Sequence, residues 1–553
     1  MTSQPHRRLT GAWKSAAWIV VGCGAIFGVV LIARAISFNP DLVPDPSADA
    51  PGDELREAGD TSVVFMAQKQ ADLPLTYSVL HASDAGIQSD FKGFGLDYAQ
   101  DDDLSIFCFR GNHLRNAPSR GQLDTRPRGI VREWEFFTAV DTTTTKYGTW
   151  GGGAGWTGQP AVVMWNAEQK ERLGCTNPDF VNADSALEVI VGSLCGNIYF
   201  LDANQGKPTR PHMSIGNPIK GSISVDPRKN GLLYVGQGVP HGQRFGAYVL
   251  DMFSRKEVGF INGVDSESYR KWGAFDSNPL VDAHSGQVVW PAENGLIYRM
   301  FTGSNGVQMD ARKLKYTSDF TFRHGIESSL AAIGTNGFFV DNSGVVVCLD
   351  LKSLEPVWAA PNGDDSDATI ALDQEKDGKF FLYTGCQVDK TAPVHAARFR
   401  KLDAATGQEI WSFERQCWGT EIGGKTNSGG ILSSPALGKR RGEHLVYCIF
   451  ARTNERQGGE FVALNKDTGE PVYTVKMDAY SWASPVDVYD AAGNIYVFFT
   501  DVTGNIYIVD GLTGEVLVKE KTNYTFESSP VIVDDMVFLP ARGRSILKYR
   551  IRA

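Results

Sequence analysis

Short runs in which apolar and polar residues alternate, each closed by a turn signal, recur from about residue 130 to the C-terminus. Ile495 to Phe499 and Ile506 to Val509 are two examples, and a period of two is the signature of β-strands. The second run ends on Asp510, followed by Gly-Leu-Thr513-Gly514. The same ending returns as Asp403-Ala-Ala-Thr406-Gly407 and as Asn465-Lys-Asp-Thr468-Gly469, with weaker copies at Asp202 (with Gly206), Asp251 and Asp350 and a degraded one near Phe301. Successive landmarks from 202 to 510 lie 49, 50, 49, 53, 62 and 45 residues apart. A period near fifty marks one supersecondary unit used repeatedly.

Each part of the unit has a physical reason. An Asp or Asn at a strand end bonds backbone N–H groups two residues on and nucleates a turn. The glycine four residues later supplies the positive φ that a tight hairpin needs. Eight residues after the Asp or Asn stand Trp358, Trp411 and Tyr473, placed on the returning strand to fill the gap between neighbouring sheets. The other end of the unit reads Ser277-Asn278-Pro279, Ser433-Ser434-Pro435, Ala483-Ser484-Pro485 and Ser528-Ser529-Pro530, with looser forms at Gln159-Pro160 and Glu327-Ser328-Ser329. Proline is tolerated at the first residue of a strand, where its missing N–H breaks no ladder bond.

Four strands per unit predict an all-β, eight-bladed propeller of four-stranded antiparallel blades, with starts near 159, 221, 277, 328, 368, 433, 483 and 529. The last unit has only three strands before the chain ends. Ile130 to Phe137, just ahead of the first blade, is the expected fourth strand, which would pair both terminal edges.

The N-terminal region has a different pattern. Ala16 to Ala33 runs for 18 residues without a charge, enough to cross a hydrocarbon core of about 30 Å. His6, Arg7, Arg8 and Lys14 precede it and mainly Asp charges follow, so residues 1–15 are expected in the cytoplasm and the rest outside it. The rival readings are a cleaved signal peptide and a lipoprotein box at Val20 to Cys23. Residues 34–76, rich in Pro and Asp, are expected as a flexible tether. Residues 77–129 are expected as a cap leading into the propeller at 130–553, its Ala82 to Cys108 part packing on the outside. The expected location is an inner or plasma membrane, single-pass, with the propeller periplasmic or extracellular.

Composition removes some functions. A net charge of −10 and a pI near 5.5 give no footprint for nucleic acid. The eight cysteines include no C-x-x-C; spacing leaves pairs such as Cys386 with Cys417, or Cys175 with Cys195, open. Gly419 to Thr426 spells G-x-x-x-x-G-K-[ST], but the next residues, Asn427 to Pro435, are glycine-rich and then strand-like, so no helix N-terminus can hold a phosphate and no nucleotide is expected. Asp373 to Gly378 imitates a calcium loop, yet its twelfth position is Thr384, so Asp377-Gly378 is a hairpin turn. Asn362 to Asp367 reads as a solvated loop between blades. The nine histidines form no metal-binding pair and no G-x-S-x-G occurs. No catalytic, cofactor-binding or metal-binding residue is assigned.

The D-x-x-T-G-x-x-x-W spacing, met at Asp403 to Trp411 and nearly met at Asn465 to Tyr473, resembles the tryptophan-docking repeat of quinoprotein-like propellers. That superfamily spans pyrroloquinoline-quinone (PQQ) dehydrogenases and non-enzymatic BamB-like scaffolds of outer-membrane assembly. Phe109-Arg110-Gly111-Asn112 and Trp150 to Pro160 also look like segments of PQQ-like repeat proteins. The dehydrogenases carry adjacent cysteines and a calcium cage; this sequence has no Cys-Cys, and the cage cannot be placed on it. The resemblance therefore implies a protein-binding or scaffolding module of an envelope or surface complex, without cofactor. Val239 to Ala247, Gln387 to Ala396 and Asn454 to Gly459 are the expected contact loops. The alternatives are a PQQ- and calcium-dependent dehydrogenase and a glycan or peptide sensor.

Overall fold

Eight antiparallel sheets follow one another along the chain in the computed structural model, which describes residues 65–81, 90–96, 104–155, 158–242, 244–303, 306–318, 324–389, 394–422, 425–453 and 457–553. The expected membrane helix at 16–33, its cytoplasmic flank and the tether to residue 64 lie outside the described residues, among which no helix is long and apolar enough to cross a membrane.

The innermost strands of blades 1 to 8 begin at Ala161, Ser224, Leu280, Ala331, Ala371, Ala436, Val486 and Val531, two or three residues after each predicted start. Within a blade the strands pair in chain order, as in Val486–Tyr489, Ile495–Thr500, Asn505–Asp510 and Val516–Lys521 of blade 7. Blade 8 takes its outer strand from Gly129–Phe137, antiparallel to the final Ser545–Arg552 with Ile130 opposite Ile551 and Phe137 opposite Ser545. The ring is thus closed by the segment expected to close it. Apolar clusters lie between consecutive sheets; one joins Phe338, Val346 and Trp358 of blade 4 to Leu372, Phe380 and Leu402 of blade 5.

The residue before each blade-opening proline, or its counterpart, builds a hydrogen-bonded ring around the axis. Backbone N–H groups donate from Gln159 to Ser222 Oγ (2.8 Å), Asn278 to Ser329 Oγ (2.9 Å), Ser329 to Thr369 Oγ1 (2.8 Å) and Thr369 to Ser434 Oγ (2.9 Å). They continue from Ser434 to Ser484 Oγ (3.1 Å), Ser484 to Ser529 Oγ (3.0 Å) and Ser529 to the Gly158 carbonyl (3.1 Å). Asn278 Nδ2 donates to the Ser222 carbonyl (3.2 Å) and completes the circle. The serines of the Ser-Ser-Pro motif therefore join blades, while the prolines start strands. We call the side on which inner strands begin the upper face; the Asp-Gly turns lie on the lower face.

The N-terminal part is more tightly docked than a tether and cap. Phe65 packs edge-on against Phe338 and Phe380, and the Gln68 N–H donates to the Ala405 carbonyl (2.7 Å). Leu75–Leu80 then adds a fifth strand to the outer edge of blade 3, antiparallel to Gly306–Ser318. Such addition covers an edge that would otherwise invite pairing with another chain.

Candidate functional site

The repeat residues singled out from the sequence are spread one turn per blade over the lower face and form no common site. Asp403 Oδ1 accepts from Ala405 N (2.9 Å) and Thr406 N (3.0 Å); Asn465 Oδ1 from Asp467 N (2.8 Å) and Thr468 N (3.1 Å); Asp510 Oδ1 from Leu512 N and Thr513 N (both 3.1 Å). Asp350 and Asp202 hold their turns in the same way, through Ser353 N (2.7 Å) and Asn204 N (2.7 Å). The glycine of each turn receives the ring of the preceding blade. A Cβ on Gly407 would lie 2.6 Å from the Trp358 ring, one on Gly469 2.7 Å from Trp411, one on Gly514 2.4 Å from Tyr473 and one on Gly206 2.4 Å from Trp134. The rings also donate to the turn: Trp358 Nε1 to the Ala404 carbonyl (3.1 Å), Trp411 Nε1 to Lys466 (2.7 Å), Tyr473 OH to Gly511 (2.8 Å) and Trp134 Nε1 to Ala203 (3.1 Å). Trp134, on the closing strand, is a docking residue that the repeat spacing did not reveal. With φ at +74° and a ring in the way, Gly469→Ala is expected to cost about 2–4 kcal/mol. A thermal melt checks this against Thr468→Ala, whose exposed turn contact should shift the midpoint far less.

Residues 104–123 do not cap the propeller; they enter it. From the lower face the chain rises along the axis, turns at Phe109 to Gly111 and descends again. Ile106 exchanges both backbone hydrogen bonds with Val162 of blade 1, the Phe107 carbonyl accepts from Val225 of blade 2, and the Phe109 N–H donates to Asn278 Oδ1 of blade 3 (3.1 Å). The His113 carbonyl accepts from Ala332 of blade 4 and the Leu114 carbonyl from Leu372 of blade 5. Arg110 donates to the carbonyls of Pro435 in blade 6 (2.8 Å) and Pro485 in blade 7 (2.7 Å), and the Arg120 carbonyl accepts from Asp534 of blade 8. Every blade is touched. Arg115 donates to the Leu330 carbonyl (2.9 Å), the Phe109 carbonyl (2.8 Å) and Asn278 (3.0 Å to Oδ1, 3.1 Å to the carbonyl). The sharp turn requires Gly111, whose φ is +82° and whose added Cβ would fall 1.7 Å from the Ala117 carbonyl oxygen. Both guanidiniums are fully enclosed, and burial pulls the Arg110 pKa down to about 10 against the opposing pull of Asp487. Carbonyl dipoles supply the solvation that water gives elsewhere.

His113 stacks on Phe94 with ring centroids 5.2 Å apart. Burial, reinforced by Arg115, lowers its pKa to about 3. The unfolded chain takes up this proton near pH 6.5 and the folded one only near 3, so the contribution is present above pH 6.5 and is lost as pH falls through that window. His113→Gln should remove a few kcal/mol of this acid sensitivity, seen as a flatter plot of unfolding free energy between pH 6.5 and 4.

Above the serine ring lies the densest group of charges, missed by sequence reading. Two residues ahead of the ring position stand Lys220, Asp276, Glu327, Asp367 and Glu527 in blades 2, 3, 4, 5 and 8. Glu293, from the loop after Gln287–Pro291 of blade 3, reaches the same place. One carboxylate oxygen each of Asp276, Glu293 and Glu327 lie within 4.8 Å of one another. Lys220 Nζ contacts Asp276 and sits 4.0 Å from Glu293, and Trp272 Nε1 donates to Glu293 Oε2 (2.7 Å). Burial, then the charges of Glu327 and Asp276, hold the Glu293 carboxyl well above its usual range. Burial opposes charge on Lys220, but Asp276, Glu293 and Glu327 outweigh it and raise its pKa.

Other sequence features resolve plainly. Thr420–Ile422 and Lys425–Asn427 form an antiparallel hairpin in the blade 5 to blade 6 connection, with Ile422 opposite Lys425; Lys425 heads no helix. Lys425→Ala is therefore expected to leave the melting midpoint unchanged, and calorimetry with ATP or GTP should show no heat of binding. Asp377-Gly378 turns between Ala371–Gln374 and Phe380–Gly385, with φ +80° at Gly378. Asp364 and Asp365, expected in a solvated loop, are instead buried, because Asp364 accepts from the N–H groups of Asp365 (2.7 Å) and Asp389 (3.0 Å). The seven described cysteines are all free. The pairs that spacing left open are therefore not bonded: Cys195 faces Tyr199 OH (3.6 Å), Cys175 faces Arg210 (3.6 Å), and burial pushes the Cys417 thiol up to about 12.

The fold raises the question of PQQ, a flat tricarboxylate. The residues present do not fit it. Below the ring the axis is filled by Phe109 to Asn116, all buried. Above it the collar sets Asp276, Glu293, Glu327, Asp367 and Glu527 against the single Lys220, a charge pattern that repels a trianion. Among the described residues no cysteine pair is available to cover a quinone ring.

Residues 457–552 match the family model described as outer membrane protein assembly factor BamB, of the PQQ_2 type. No curated protein matches the chain. Among solved structures, BamB from Moraxella catarrhalis is 14% identical with a TM-score of 0.46, over 66% of this chain and 93% of that one. The computationally designed Ika8 protein is 12% identical (TM-score 0.43, 66% and 93%), and a europium-containing methanol dehydrogenase is 14% identical (TM-score 0.40, 82% and 99%). The blade order, the ring-on-glycine docking and the family match together establish a β-propeller of the PQQ-like type.

Proposed function

We propose that this chain is a membrane-anchored, extracytoplasmic binding module that recognises protein partners through its faces, within an envelope or surface complex. The observation that carries this reading is the filled axis: the segment 104–123 is bonded to all eight blades and takes the space in which a propeller enzyme would seat a cofactor. What remains for recognition is the rim, where loops stand on a rigid frame. The match of 457–552 to a BamB model supports the same reading. The apolar run at 16–33 supplies the anchor and the basic flank sets the N-terminus in the cytoplasm.

A photo-crosslinking residue at Arg244, exposed on an upper-face loop, should yield one defined adduct in native membranes, and one at Lys376 on the lower face should not. Absence of adducts from every rim loop, together with PQQ-dependent dye reduction by the purified protein, would overturn the reading. Extraction of the intact chain by alkaline carbonate would remove the anchor from it.

A further inference from the structure

We propose that the mouth of the axis binds a hard divalent cation of the calcium class, held by Asp276, Glu293 and Glu327 without any organic cofactor. This goes beyond the binding-module reading and does not rest on it.

Charge comes first. Three carboxylates and Lys220 leave two uncompensated negative charges in a buried place, which one divalent ion neutralises. Arg270, the other neighbouring cation, is 3.8 Å from Glu293 with 40% of its side chain in solvent, so it compensates weakly. Spacing comes second. Oxygens that share a calcium ion at 2.3–2.6 Å lie at most about 5 Å apart, and the three carboxylate oxygens all fall within 4.8 Å. The third point is independent of the carboxylates. Asn342 is 5% exposed, and its amide nitrogen donates to Glu327 Oε1 (3.0 Å), yet its Oδ1 takes no hydrogen bond. Glu293 Oε1, on the side of the carboxylate away from Trp272, also lacks a donor. Buried oxygens without donors are costly. Calcium keeps water among its ligands, and a water on the ion would give Asn342 Oδ1 its donor.

The three ligands come from the openings of blades 3 and 4 and from a loop of blade 3, so the ion would tie neighbouring blades above the serine ring. Trp272, bonded to Glu293, provides an optical reporter.

Terbium is the probe. Added to the purified full-length protein, it should show saturable one-to-one emission on excitation of tryptophan, displaced by calcium. Calcium should bind with the same stoichiometry in calorimetry and raise the melting midpoint. Glu327→Gln, at a half-buried position, and Asp276→Asn should each weaken calcium at least about tenfold, with the cation-free melting midpoint of Glu327→Gln equal to that of the parent. Trp272→Phe should keep calcium affinity and lose most of the sensitised emission. No heat of calcium binding, or binding undiminished in both carboxylate variants, would overturn the proposal.

Discussion

Replacing Arg115 by methionine is expected to destabilise the propeller by about 3–5 kcal/mol, although the residue lies in no blade. The guanidinium donates four hydrogen bonds, to Leu330, Phe109 and both oxygens of Asn278. Methionine fills similar space but leaves those acceptors buried without donors, and a buried acceptor left alone costs its full desolvation. Asn278 also receives Ser224 Oγ and Phe109 N, so the loss spreads into the serine ring. Arg126→Ala is the control: its ion pair with Glu515 is solvent-exposed on both sides, and such pairs contribute little. The urea midpoint should fall markedly for the first variant and stay in place for the second. Equal midpoints would mean that the axial segment merely rests in the channel.

The second large effect concerns ring closure. A chain beginning at residue 65 is expected to be monomeric with the full-length melting midpoint. One beginning at residue 138 should associate or precipitate. The longer deletion removes Leu75–Leu80 from the edge of blade 3, the axial segment and the Gly129–Phe137 strand that closes blade 8. It also removes Trp134, whose ring packs on Gly206 and bonds the Ala203 carbonyl. The final strand, Ser545–Arg552, would then present an unpaired edge, a template for another chain. Size-exclusion chromatography and a melt decide the matter; a monomeric 138–553 with an unchanged midpoint would show that closure is dispensable.

What could be read ahead of the structure was local chemistry repeated at one period. The alternation in Ile506 to Val509, the turn from Asp510 to Gly514 and the proline after Ser529 each state a local backbone requirement, and their recurrence counts the blades. Ile130 to Phe137 was legible for the same reason, being a strand pattern at the point where one strand was lacking. Phe109 to Asn116 has no such period. Its partners are carbonyls 215 to 375 residues away, in the case of Arg115 with Leu330 and of Arg110 with Pro485, and nothing local announces them. Gly111 was the one clue, a glycine between polar residues where no hairpin was expected. The carboxylate group escaped because its members come from separate loops and no spacing motif describes them. Aligning the repeats on the serine ring would have exposed it, since Lys220, Asp276 and Glu327 occupy the same position of three successive units.

The account stands on an axis filled by the chain itself and bonded to every blade. Hydrogen exchange of the backbone amides of Ile106, Phe109, Gly111, Arg115 and Ala117 tests this most directly, since all five donate inside the ring. The prediction is protection as strong as that of the inner-strand amides of Val162 and Leu372, lost only on global unfolding. Exchange at the rate of an exposed loop, with the inner strands still protected, would contradict it.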